Sequence, residues 1–138
     1  MNNDELERIL DIDQLGGIDE EAVHPEIHFC SFKVGSIKLT IPIETVREII
    51  DLSDTLPLPG SPVHVRGLVH LRGEVIPVID MSKIYEAHYD KETEKKLIII
   101  EVSNESLALI SDGMPDLLDE EEGQILDINE FFEKYKVT

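Results

Sequence analysis

Tryptophan is absent from this chain, cysteine occurs once, and 12 Lys and Arg face 30 Asp and Glu. Each shortage excludes something. A single thiol, Cys30, permits no intrachain disulfide framework and suits a reducing compartment. A formal net charge of −18 repels nucleic acid and anionic membrane, so neither is expected as a partner. No apolar run approaches the roughly 20 residues that span a bilayer. The polar, acidic start carries no signal-peptide pattern, and a cytoplasmic location is expected. With aromatics at 5%, aliphatic side chains must build the core. A length of 138 residues allows one domain, or two small lobes sharing a core.

Catalytic patterns are missing as well. There is no Gly-rich phosphate loop, Ser nucleophile elbow or Cys-His motif. His24 and His28 have i,i+4 spacing, but Pro25 interrupts the helix a shared metal site would need. The acidic turn Asp119–Glu122 lacks a calcium-loop pattern. No enzyme activity, cofactor or metal is expected, and the carboxylates read as a solvated surface.

What is present is β pattern. Residues 1–26 stand apart as an acidic extension, with one helix possible around Leu6, Ile9 and Leu10. From Cys30 to Ile41, apolar residues alternate with polar ones on both sides of Gly35-Ser36, a hairpin signal that makes Cys30 a small core residue. Pro42 to Glu48 reads as one helical turn, and Ile49 to Leu52 as a short strand. Thr55 to Pro62 is a Pro-rich loop. The chain then centres on Val65 to Asp80, two apolar runs flanking a Leu-Arg-Gly turn. Val75 to Ile79 reads as a strand buried on both faces, with Pro77 pointing to an edge, bulge or corner. Gly67 and Gly73 sit where such a ribbon has to bend. Arg72 stands at its tip, either engaging a partner or bracing the turn against a nearby carboxylate. Val46 and Ile49 are either contact residues or core. Asp80 and Ser82 can cap a short helix, and Leu97–Val102 and Ser106–Ile110 read as strands. Asp127 to Glu130 opens a terminal helix with Ile128, Phe131, Phe132 and Tyr135 on one face.

The chain also repeats itself. Shifted by 68 residues, Phe29–Asp51 matches 97–119 without a gap, with Phe29 on Leu97, Leu39 on Leu107 and Ile49-Ile50-Asp51 on Leu117-Leu118-Asp119. Val78-Ile79-Asp80-Met81 then resembles Ile125-Leu126-Asp127-Ile128. The copies are unequal: 26 residues separate Asp51 from Val78, and only five separate Asp119 from Ile125. The second copy lacks the Pro-rich loop and the Val65–Glu74 ribbon. The strand edge left unpaired must be covered, charged or paired, the candidates for a cover being the N-terminal extension, the terminal helix or a second chain.

In the order of these elements the sequence resembles the CheW-like family of bacterial chemotaxis adaptors. The resemblance rests on the hairpin, Ile43–Ile49, Arg66–Gly73 with its Leu-Arg-Gly, Val75–Asp80 and the late Asp112-Gly113, and covers about residues 27–132. It implies a mainly β fold of two intertwined five-stranded barrel-like subdomains, here with the second shortened: a first lobe of about 27–96 and a second of about 97–138. It implies a non-enzymatic adaptor in two-component signalling, coupling the regulatory domain of a chemotaxis histidine kinase to the cytoplasmic tip of a chemoreceptor. The partner-binding residues it implies are Val46, Glu48 and Ile49 of the short helix, and Arg66, Gly67, Arg72 and Gly73 of the ribbon. The shortened copy also raises a second reading, a homodimerising regulatory or structural protein outside chemotaxis.

Overall fold

The computed structural model describes residues 26–137. The expected N-terminal helix lies outside the described residues. Phe29–Val34 (β1) and Ile37–Pro42 (β2) form the expected antiparallel hairpin, with Cys30 opposite Ile41, Phe32 opposite Leu39 and Val34 opposite Ile37. Gly35 has φ +64°, and a Cβ there would lie 2.2 Å from the carbonyl oxygen of His88, so only glycine fits.

The helical turn expected through Glu48 is corrected. A 3-10 turn covers only Ile43–Thr45, and Val46–Asp51 is a strand (β3). Val46, Ile49 and Ile50 are β-branched, and the segment pairs antiparallel with Lys95–Val102 (β6), which decides against helix. Val65–Leu71 (β4) and Glu74–Ile79 (β5) form the central ribbon. Met81–Tyr85 (α1) follows, capped by Asp80, whose carboxylate accepts from Ser82 N–H and the Tyr89 hydroxyl. Glu105–Leu118 (β7) runs far past the strand expected to end at Ile110. Gln124–Ile125 (β8) and the Asp127-capped helix Ile128–Tyr135 (α2) complete the described chain.

All eight strands of the described residues join one sheet, in the order β3-β6-β7-β1-β2-β8, with β5 on β7 and β4 on β5. β7 is long because it serves three partners, β5 at Ala108 and Leu109 and two longer ones. Its first part pairs with β6 from Glu105 to Asp112; its last residues pair with β1, Leu117 opposite Cys30 and Leu118 opposite Phe29. Gly113, at φ +71°, lies between the two stretches. The repeat copies therefore interleave. β3 of the first lies on β6 of the second, while its counterpart in the second, residues 114–118, lies on β1 of the first. The expected five strands are present on the path β3-β6-β7-β5-β4. The path β7-β1-β2-β8 has four among the described residues.

Two cores result. Val69, Ile76, Val78, Leu97, Ile99 and Ile110 pack inside the five-stranded path. The larger core lies between the copies and takes Phe32, Leu39, Ile98, Leu107, Phe131 and Phe132 among others. The terminal helix is thus the counterpart of α1, seated on this shared core. Val75, expected to be buried, is 55% exposed, because it pairs with His70 on the outer face of the ribbon.

Cys30 is fully buried in the shared core, and burial, with Asp116 nearby, pushes its thiol up to about 11. A thiol reagent is expected to leave it unmodified in native buffer and to label it fully in denaturant. Rapid native labelling would overturn that placement.

Candidate docking site at the Leu-Arg-Gly turn

β4 and β5 are joined by a two-residue turn, Leu71-Arg72-Gly73-Glu74, whose central residues have φ +50° and +84°. Positive φ at both positions defines the type I′ hairpin geometry, which matches the strand twist. Gly73 meets nothing that a Cβ would strike, so its requirement is conformational. Arg72 holds a left-handed conformation that side chains rarely adopt.

The Arg72 side chain is 62% exposed, and its guanidinium forms an ion pair with Glu48 of β3. Glu48 also lies 3.8 Å from Nε of Arg47. Nη1 of Arg47 donates to Glu74 at 2.8 Å and to the Ser106 hydroxyl at 3.2 Å. The Glu74 hydrogen bond leads in raising the Arg47 pKa, with partial desolvation opposing it. Arg72, Glu48, Arg47 and Glu74 thus form a charge chain that fastens the ribbon tip to β3.

Gly67 supports the ribbon from its base. A Cβ there would lie 2.5 Å from the Leu56 carbonyl oxygen. Leu56 and Leu68 exchange backbone hydrogen bonds of 2.8 Å each way, and the register shifts between Val65 and Gly67. The close backbone approach requires glycine. It also brings Leu56, 60% exposed, beside the ribbon.

The outer face of the ribbon is opposite the buried Val69–Ile76 pair. It carries His70 opposite Val75 and Leu68 opposite Pro77, with Arg66 exposed nearby. Three of the chain's four arginines, Arg47, Arg66 and Arg72, fall on β3, on β4 or at the turn. In a chain of net charge −18 this is a local concentration of cations beside exposed apolar side chains.

Of the residues singled out from the sequence, Glu48, Arg66, Gly67, Arg72 and Gly73 are brought to the ribbon and its neighbour β3. Val46 and Ile49 are also on β3, half-buried and packed against the shared core. Sequence reading missed Arg47 and Glu74. The available signal was weak: Arg47 precedes Glu48, but its pairing with a residue 27 positions away requires strand register.

These features define a β-sheet module with a braced, exposed hairpin tip. The CheW-like domain model matches residues 28–134, and the chain belongs to that family. It is 27% identical over 110 residues to "Chemotaxis protein CheW" of Thermotoga maritima, covering 80% of this chain and 72% of that protein. Similarity to "Chemotaxis protein CheW" of Rhizobium meliloti is 32% over 89 residues, 64% of this chain and 57% of the relative. "Protein FrzA" of Myxococcus xanthus is 40% identical over 59 residues, 43% of this chain and 37% of that protein. The match thus spans a little over half of the second relative and over a third of the third. The crystal structure of scaffolding protein TtCheW from Thermoanaerobacter tengcongensis superposes with a TM-score of 0.61 at 24% identity, covering 69% of this chain and 65% of that one. That likeness supports the fold. Among the described residues no helix is long and apolar enough to cross a membrane.

Proposed function

We propose that this chain is a non-enzymatic cytoplasmic adaptor of chemotaxis-type two-component signalling, coupling a histidine kinase to chemoreceptors by protein–protein docking. Family membership and the chemotaxis proteins among its relatives support this reading. The observation that carries it to a particular surface is the ribbon tip. Arg72, braced by Glu48 yet mostly exposed, offers part of its planar fork to a partner's carboxylate or backbone acceptors. Arg66, Val75 and Leu56 add charge and apolar area beside it. The kinase's regulatory domain and the receptor tip are the partners assigned, and Val46 and Ile49 support the surface from the core side.

Arg72→Ala is expected to weaken binding to the regulatory domain of the cognate kinase about tenfold, the loss of one well-placed Arg anchor. The melting temperature should stay within about 3 °C, since exposed ion pairs contribute little to stability. Calorimetric titration and a thermal melt read the two quantities separately. Unchanged binding would remove the ribbon tip from the interface. A large stability loss at unchanged affinity would assign Arg72 to bracing alone. A tight dimer in sedimentation that masks the ribbon would favour the homodimer over the coupler.

A further inference from the structure

The two repeat copies can be compared residue by residue across the sheet. In the first path Glu48, Ile99, Ala108, Val78 and Gly67 are successive partners on β3, β6, β7, β5 and β4. Their repeat counterparts are Asp116, Ser31, Thr40 and Ile125. These too are successive partners, Asp116 with Ser31, Ser31 with Thr40, and Thr40 with Ile125. The row stops there. Among the described residues no strand pairs with the far edge of β8, where the counterpart of β4 belongs.

That edge is ready for pairing. Leu126 N–H donates to Thr40 O at 2.9 Å, toward β2. The amide and carbonyl of Ile125, one residue earlier, therefore point to the open side. Ile125 is 45% exposed. A cleft of about 370 Å³ borders it between the two helices, lined by Ile84, Tyr85, Ile125, Phe131 and Tyr135. In the same row Ser31, 2% exposed, has a hydroxyl with no hydrogen-bond partner among the described residues.

Charge selects the occupant. Exposed Asp119, Glu120, Glu121 and Glu122 precede β8, and Asp127 and Glu130 follow it. Lys38 pairs with Glu122, and Lys134 lines the cleft, so carboxylates remain in excess. The chain's own first 25 residues contain eight carboxylates and one arginine, and a second copy carries −18. Both are electrostatically poor occupants. β4, by contrast, is embedded in a stretch, Val63–Arg72, with two arginines and no carboxylate.

We propose that the far edge of β8, which no described strand covers, forms with its flanking cleft a docking site for a basic, extended segment of a partner protein. The segment adds as an antiparallel strand, with alternate apolar side chains entering the cleft. This site is separate from the ribbon tip and stands whether or not the coupling role holds.

The test uses the full chain and a synthetic peptide of sequence Val63–Arg72. Amide exchange at Ile125 is expected to be fast in the free protein and at least tenfold slower with peptide, with NMR shifts centred on Gln124–Leu126. Ile125→Pro removes the outward N–H at a position where the β2 ladder does not need it, and should weaken binding at least tenfold with a near-native melting temperature. Glutamates in place of the peptide's arginines should weaken it by a similar factor. Slow exchange in the free monomer would assign the edge to the chain's own residues. Slow exchange in a dimer would assign it to a second copy. Either result overturns the proposal, as would shifts centred on Val78, equal affinity for Ile125→Pro, or no binding at millimolar peptide.

Discussion

Asp112→Ala is expected to lower the unfolding free energy by about 3 kcal/mol, because one buried carboxylate closes two backbone amides and also holds a hydroxyl and an ammonium. The Asp112 side chain is only 3% exposed. It accepts from Gly35 N–H at 2.7 Å, from Asp90 N–H at 3.0 Å and from the Thr93 hydroxyl at 3.1 Å, and it pairs with the Lys95 ammonium at 3.1 Å. These contacts join the β1–β2 turn, the connection before β6 and the bend of β7. Truncation strands two backbone donors and leaves the ammonium without its carboxylate. Burial by itself would raise the Asp112 pKa, but the amides of Asp90 and Gly35, with Lys95 and Thr93, outweigh it and hold the pKa below its ordinary value. The folded pKa is therefore lower than the unfolded one. The contribution is fully present above the ordinary carboxylate range and is lost as pH falls through the folded value. The stability gap between the native chain and Asp112→Asn should accordingly narrow as pH falls through the ordinary carboxylate range and below it. Urea unfolding at several pH values measures it. A gap independent of pH, or a loss below about 1 kcal/mol for Asp112→Ala, would show that the hub is not needed.

That hub was not legible in the sequence, and of the charge chain at the ribbon tip only a brace of Arg72 against some carboxylate was; both gaps have one cause. Gly35, Asp90 and Asp112 belong together only after β1, β6 and β7 have taken register. Arg47 and Glu74 likewise meet through strand placement. Local signals were far more informative. The alternation around Gly35-Ser36 specified the first hairpin, and Asp80 and Asp127 marked two helix starts that the structure places at Met81 and Ile128. The repeat carried more again: with an offset of 68 before the stretch the second copy lacks and 47 after it, equivalent residues take equivalent cross-strand partners. Val78 pairs with Ala108, as Ile125 pairs with Thr40.

Two misreadings show where local rules yield to the sheet. Glu44, Arg47 and Glu48 give the segment after Pro42 a helical look, yet β6 supplies a ladder from Ile100 down to Lys96 and the β-branched residues take it. The strand from Ser106 is expected to end at Ile110, and Gly113 and Pro115 lie just beyond it. In the structure Gly113 instead sits where one strand leaves β6 and continues toward β1. Breaker residues in a strand mark a change of partner as readily as an end.

The interleaving has its own measurable consequence. Phe32→Ala is expected to cost about 4 kcal/mol, and to do so in a single cooperative transition. Phe32 is 2% exposed on β1 and belongs to the core that also holds Leu39 from the first copy and Ile98, Ile100, Leu107 and Leu109 from the second, with Phe131 and Phe132 of α2. Removing its ring leaves a cavity between rigid strands that cannot close around it. Neither copy has a complete sheet of its own to retreat into. Opening the first would strip β3 from β6, and opening the second would strip residues 114–118 from β1. Circular dichroism and the exposure of the Cys30 thiol should therefore report the same urea midpoint, before and after the substitution. Two separated midpoints, or a loss under about 2 kcal/mol, would mean that the copies fold independently. A single midpoint has a functional corollary. The hairpin tip bearing Arg72 is then held by the stability of the whole sheet, because β3, which carries its brace Glu48, is anchored on a strand of the opposite copy.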